Sequence, residues 1–282
     1  MVKGIQFSII VPSFNQGQFI EQALISLFSQ GGDDYEVIVV DGGSIDGSVD
    51  IIRKYKEKHR RLTIIVEADK GQSDALNKGF HLARGEYLTW LNTDDIMLPG
   101  TLDALRKFIG TQNVKPKWIV GNTVYIDAKD SVICFVRGNR WRDFLYKQGA
   151  VPVFGPSSFF TRKLLLKIGE VDESLRYCMD WDLWIRFKIA GERFVRIDRY
   201  LWALRRHDAS KTQGGERGKV NIHWEEIRRM LKKNNRTAVR FCATTQRVWR
   251  LITGRYLLGL KDTLRFRGRN IHQSDVNRQI FL

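Results

Sequence analysis

Two adjacent carboxylates, Asp94 and Asp95, stand where the apolar run from Glu86 to Leu91 gives way to Asn92-Thr-Asp-Asp95 and then to Pro99-Gly100. A strand end fixes the backbone direction. One carboxylate placed there can hold a hard divalent cation through oxygen while its neighbour turns to a hydroxyl or a second ligand. The same residue types also cap helices, and Leu102, Leu105 and Phe108 follow at helical spacing. Taken alone, the segment leaves cation site and cap equally open.

Three further loops carry reactive side chains. Asp41-Gly-Gly-Ser44 ends another apolar run, and its glycines let the backbone approach a ligand while Asp41 offers an acceptor to a base edge or a ribose. It lacks both the dinucleotide-binding glycine spacing and the phosphate-loop lysine, and a plain turn before a helix explains it equally well. Asp180 and Asp182 open a probable-helix segment beside Met179, Trp181 and Trp184. Either carboxylate caps the helix, or one of them, partly desolvated by those neighbours, serves as a general base. His207 lies among basic residues in Leu204-Arg-Arg-His-Asp-Ala-Ser210, in a segment expected to be a loop. By itself it reads as a surface histidine.

The elements that must position these residues follow from periodicity. Short apolar runs at Phe7 to Val11, Tyr35 to Val40, Leu62 to Val66 and around Tyr87 alternate with helical patterns near Phe19 to Phe28, Ser48 to Lys58 and Gln72 to Ala83. Buried runs of this kind, alternating with helices, predict a parallel sheet covered on both faces. Ligands of such sheets bind beyond the carboxyl ends of the strands, so Pro12 to Asn15, Asp41 to Ser44, Glu67 to Gly71 and Asn92 to Asp95 are expected to face one crevice. The second half predicts mixed α and β structure, with strands at Trp118 to Val120 and Val132 to Val136, and helices near Trp141 to Gln148 and Trp181 to Ala190.

The chain has 282 residues, 43% of them hydrophobic, enough for a large core, and a formal charge of +16 that favours an anionic partner. The basic excess is concentrated after about Glu216. There, Val248, Leu251, Ile252, Tyr256, Leu257 and Leu260 alternate with Arg247, Arg250 and Arg255. That stretch suits a helix lying on an anionic membrane surface and equally a helix packed on the rest of the chain. Cys134, Cys178 and Cys242 have no metal or redox spacing and read as reduced thiols. With neither a signal-peptide pattern nor a bilayer-length apolar run, the expected location is cytoplasmic, with peripheral attachment to the inner membrane face as an option. No zinc-finger or RNA-binding signature supports nucleic acid as the partner.

Together, Ser8-Ile-Ile-Val-Pro-Ser-Phe-Asn15, Val37 to Gly47, Asp69-Lys-Gly-Gln-Ser-Asp-Ala-Leu-Asn-Lys-Gly79, Trp90 to Asp95 and Met179-Asp-Trp-Asp-Leu-Trp184 resemble, in order and spacing, the family 2 glycosyltransferases. The likeness spans about residues 5 to 213. It implies a GT-A fold: a Rossmann-like, mostly parallel sheet with helices on both faces. Residues 1–215 would form this domain, about 1–100 serving the nucleotide sugar and 101–215 the acceptor, with 216–282 a basic helical extension. The resemblance further implies that Pro12, Ser13, Phe14, Asn15, Asp41 and Gly43 embrace the nucleotide, with Asp69 and Lys70 closing its pocket. Asp94 would lie near the ribose or sugar, Asp95 would ligate Mn2+ or Mg2+, and His207 would contact the metal or diphosphate. Asp180 aligns with the catalytic base, although Met179 stands where a glutamate is common, and Asp182 remains the alternative. The implied activity is inverting, metal-dependent transfer from a UDP-, GDP- or dTDP-sugar to a glycan or lipid-linked acceptor. A catalytically silent sugar-nucleotide-binding or membrane scaffold protein is the alternative.

Overall fold

The computed structural model describes residues 4–142, 153, 155–208, 210, 217–234 and 247–276. Among these, nine strands share one sheet in the order β3-β2-β1-β4-β8-β6-β9-β5, with β7 paired to β6. The strands are β1 (Phe7–Ser13), β2 (Tyr35–Asp41), β3 (Leu62–Val66), β4 (Tyr87–Trp90), β5 (Ile96–Met97), β6 (Trp118–Asp127), β7 (Val132–Val136), β8 (Ser158–Thr161) and β9 (Val195–Arg206). Between the first four strands run α1 (Gly17–Phe28), α2 (Ser48–Lys58) and α3 (Gln72–Leu82). Later come α4 (Thr101–Gly110), α5 (Arg162–Ile168), α6 (Met179–Ile189), α7 (Arg217–Lys233) and α8 (Arg255–Phe266).

The first four strands pair in parallel, as the βαβ pattern predicts. Side chains alternate across a strand, so Phe7, Ile9, Val11, Val37 and Val39 face one helical layer with Ile20, Leu24, Ile52, Leu102 and Leu105. Ile10, Ile38 and Val40 face the other layer with Leu76, Phe80, Leu183, Trp184 and Phe187. Both faces are covered, which is why these strands read as unbroken apolar runs. Pro12 lies inside β1 rather than ending it, because β4 pairs only with Phe7 to Ile10 and the missing N–H falls beyond that pairing.

The second half mixes senses: β8 runs antiparallel to β4 and β6, while β6 and β9 are parallel. The helix expected over Trp141 to Gln148 falls mostly outside the described residues. The last segments contribute to the interior. Ile227, Met230 and Leu231 of α7 join the core beneath α6, and Phe266, Ile271 and Val276 join a third cluster with Val124, Phe135 and Tyr200. No helix among the described residues is long and apolar enough to cross a membrane.

Candidate functional site

The carboxyl ends of β1, β2 and β4 border a cleft of about 780 Å3, walled on the far side by Glu173, Leu175, Arg176 and Tyr177 ahead of α6 and by Asp208 and Ser210 after β9. Its volume suits a ligand of nucleotide size. Of the residues singled out from sequence, Pro12, Ser13, Phe14, Asp69, Lys70 and Asp94 line it; Asn15, Asp41, Gly43, Asp95, Asp180 and His207 do not.

The cleft floor explains part of that division. Asp41 is fully buried. Its Oδ1 accepts from the Gly43 and Ser44 amides at 3.0 and 2.7 Å, and its Oδ2 from the Ser13 and Ser44 hydroxyls at 2.7 and 2.8 Å. A carboxylate has about four acceptor positions, and these four donors occupy them. Asp41 thereby shapes the loop at the end of β2. Asn15 ties the same loops together, accepting from Ile45 N at 3.0 Å and donating its own amide to Ser44 Oγ at 2.7 Å. At Gly42 a Cβ would fall 2.7 Å from Asp69 Oδ2, so glycine there lets the Asp69 carboxylate lie against the end of β2. Burial pushes the Asp69 carboxyl up, partly countered by the hydrogen bond from the Gly71 amide.

Asp94 and Asp95 have opposite environments. Asp95 is 2% exposed; its Oδ1 accepts from the Arg205 amide at 3.0 Å and its Oδ2 from Asn92 Nδ2 at 2.9 Å. Burial, reinforced by the charge of Asp94, holds the Asp95 carboxyl well above the usual range. Asp94 instead faces the cleft, with Oδ2 3.1 Å from His207 Nε2. His207 is seated from behind by Phe19, ring centroids 4.6 Å apart. The ligand expectation for Asp95 thus meets a side chain turned into the protein, whereas its neighbour presents oxygen to the cleft.

Arg205 locks this arrangement. Its guanidinium is almost fully buried, donates to the Asp94 carbonyl at 2.8 Å and to Gln22 Oε1 at 2.8 Å, and pairs with Asp130. The strand β9 that carries it escaped the sequence reading because arginines at 196, 199, 205 and 206 interrupt its apolar pattern.

The two carboxylates at α6 also separate. Asp182 is fully buried, paired with Arg186 Nε at 2.7 Å and accepting from Asn234 Nδ2 at 2.9 Å. Asp180 is half-buried in the first turn of α6, directly after the cleft-lining Leu175–Tyr177 segment, and its Oδ1 accepts from Trp181 N at 2.8 Å. Met179 receives a hydrogen bond on Sδ from the cleft residue Ser73 at 3.0 Å. The carboxylate that organises this helix start comes from α7: Glu226 Oε1 accepts from the Tyr177 and Cys178 amides at 2.6 and 2.8 Å. Burial alone would raise Glu226, but these amide hydrogen bonds outweigh it and hold the carboxyl below the usual glutamate range. Its sequence surroundings, a charged helix far from any motif, gave no signal of this. Glu173 also borders the cleft, 3.7 Å from Lys70 Nζ.

An aromatic stack joins the two halves of the site. Trp184 of α6 stacks on Trp90 of β4 and on Trp118 of β6, centroids 5.8 and 5.2 Å apart. The helix bearing Asp180 and the strand leading to Asp94 are therefore held by one contact.

The family model described as glycosyl transferase family 2 matches residues 8–168. A PGL/p-HBAD biosynthesis glycosyltransferase of Mycobacterium bovis is 28% identical over 260 residues, covering 89% of this chain and 94% of that one. An uncharacterized glycosyltransferase of Rickettsia typhi is 29% identical over 211 residues, 73% of this chain and 65% of the relative. The chain spans between 56% and 65% of the length of the Rickettsia typhi, Rickettsia prowazekii and Nostoc relatives it matches. Two solved structures share the fold. Staphylococcus aureus TarS 1-349 in complex with UDP-GlcNAc has a TM-score of 0.63 at 19% identity, over 80% of this chain and 65% of that one. A mannosyltransferase of Pyrobaculum calidifontis in complex with GDP-Man and Mn2+ has a TM-score of 0.61 at 22% identity, over 84% and 66%. The matched stretch begins in β1, takes in the strand-end loops that build the cleft floor, ends with α5 and amounts to more than half of the chain: the chain belongs to glycosyl transferase family 2.

Proposed function

We propose that the protein is an inverting, metal-dependent glycosyltransferase that moves a sugar from a nucleotide sugar to an acceptor hydroxyl on a glycan or glycolipid. The observation that carries this reading is Asp94, which presents a carboxylate with His207 at its side to a nucleotide-sized cleft at the strand ends. Asp69, Asp94, Glu173 and Asp208 also make the cleft acidic. A diphosphate entering it brings further negative charge, which a divalent cation held at the site would offset. The Asp94 carboxylate suits a hard cation such as Mn2+ or Mg2+, and an imidazole beside it would be tolerated better by Mn2+ than by Mg2+. When bound, the ion stabilises the charge of the departing diphosphate. In this proposal Asp94 and His207 hold it and Asp95 braces the loop from beneath, a reassignment of the ligand by one residue. UDP-GlcNAc in the TarS complex and GDP-Man with Mn2+ in the mannosyltransferase complex support a nucleotide-sugar donor.

The chain's own groups then divide the work. Pro12, Ser13 and Phe14 form one wall for the nucleoside, Asp69 accepts from base or ribose, and Lys70 and Arg176 stand by for phosphate oxygens. Asp180 takes the proton of the acceptor hydroxyl as its oxygen bonds to the anomeric carbon. The electron pair of the breaking carbon–oxygen bond leaves on the diphosphate, with inversion. Asp182, committed to Arg186 and Asn234, is not the base. The same reading has the enzyme working on the cytoplasmic side, at an anionic membrane face when the acceptor is lipid-linked. Asp180→Asn is expected to lower donor turnover at least about 100-fold while leaving nucleotide binding intact; an unchanged rate removes Asp180 from its role.

A further inference from the structure

The helix α8 is packed inside out. Its inward side is polar apart from the buried Phe266 at its end: Arg255 pairs with Asp198 at 2.9 Å, Asp262 accepts from Arg137 Nη2 at 2.9 Å and from the Tyr200 hydroxyl at 2.7 Å, and Thr263 Oγ1 accepts from the Phe135 amide at 2.9 Å. Gly259 lies against the Phe135 carbonyl, where a Cβ would approach to 2.8 Å, so the helix sits directly on β7. Its outward side is leucine: Leu257, Leu260 and Leu264, spaced i, i+3 and i+7, are 60%, 40% and 74% exposed. The helical stretch 247–252 continues this apolar surface with Leu251 and Ile252, 51% and 68% exposed. A helix on a water-facing surface normally directs its apolar stripe inward. Here hydrogen bonds, ion pairs and the one buried ring of Phe266 hold the helix, and the leucine row is left for something else.

We infer that this outward face, residues 251 to 264, is a docking surface for an anionic lipid bilayer. Lys261, Arg265, Arg267 and Arg269 flank the leucine row and are exposed. The acidic residues of 247–276 are Asp262 and Asp275, paired with Arg137 and Arg269 respectively, so arginine offsets the negative charge beside the row. Leucines flanked by cations match the layering of acyl chains beneath anionic headgroups, where a helix lies in the plane of the interface. A second copy of this chain is a poor occupant, because the same cations and a charge of +16 would face each other. The lipid contact stands on these observations alone; that it brings the cleft to a lipid-linked acceptor rests on the proposed transferase reading.

The test is flotation of the purified full chain with phosphatidylcholine vesicles, with and without phosphatidylglycerol. Leu257→Gln/Leu264→Gln and Lys261→Gln/Arg265→Gln variants are run alongside, and melting temperature and donor hydrolysis are measured on each. Recovery with phosphatidylglycerol vesicles, at least about tenfold weaker on neutral vesicles and in either variant, is expected, with melting and donor hydrolysis unchanged. Absence of flotation with phosphatidylglycerol, or flotation indifferent to the leucine pair, overturns the surface. Self-association in sedimentation that the leucine variant abolishes, without vesicle binding, overturns it in favour of a second copy. A chain that hydrolyses donor but never floats refutes the surface alone, and one that floats without turnover refutes the transferase reading alone.

Discussion

Asp94 and Asp95 are chain neighbours with separate tasks, and substitution should tell them apart. Asp95→Ala leaves the Arg205 amide and Asn92 without their buried acceptor, a loss of about 1–3 kcal/mol that thermal or urea unfolding will register. Asp94→Ala removes a partly exposed side chain that contacts His207, so stability should change by less than about 0.5 kcal/mol while metal-dependent nucleotide binding is lost. The sequence located this pair but not which member faces the cleft. That depends on the Arg205 amide and guanidinium, a hundred residues away along the chain. Asp41 shows the same limit: the strand-end aspartate was legible, but the four donors that occupy it belong to turn geometry and to Ser13 on a neighbouring strand.

Between elements, the start of α6 is where the site is assembled. Glu226 on α7 binds its amides, so Glu226→Ala should cost about 1–3 kcal/mol at neutral pH. Because the folded-state carboxyl is lowered, its contribution is present above the ordinary glutamate range and is lost as pH falls through the lowered value. Melting curves of wild type and Glu226→Gln should therefore differ at pH 7 and converge in acid; a gap that widens in acid would reverse the assigned sign. Trp184→Ala, which empties the stack between Trp90 and Trp118, should cost about 3–5 kcal/mol. It should also weaken turnover more than a remote core truncation of equal cost. The βαβ half was readable because alternation buries both strand faces between helices. β8 and β9 were not, since one is four residues long and the other carries arginines that pair within the sheet region.

Across the whole molecule, packing continues past position 215, where the resemblance implies the edge of the transferase domain. Ile227, Met230, Leu231, Phe266, Ile271 and Val276, all beyond it, are buried with residues of the first 215. Burying six such side chains is worth on the order of 10 kcal/mol, comparable with the whole stability of a domain. A fragment of residues 1–215 is expected to show no cooperative thermal transition; one that melts like the full chain would restore the extension as a separate unit. Composition revealed the basic excess after Glu216 but not that Arg255 and Asp262 of α8 turn inward, because that depends on Asp198, Arg137 and Tyr200 lying across from them.

Asp94, held beside His207, is proposed to make the cleft a metal-dependent nucleotide-sugar site. This role is tested most directly by the thermal stabilisation that UDP, GDP, dTDP and their sugar conjugates give to the wild type and to Asp94→Ala, each with and without Mn2+. One nucleotide is expected to raise the melting temperature of the wild type only with Mn2+, by an increment growing with ligand concentration, and Asp94→Ala to abolish the increment without lowering the baseline. An Mn2+-dependent shift that survives in Asp94→Ala, or no shift with any nucleotide under either condition, would contradict it.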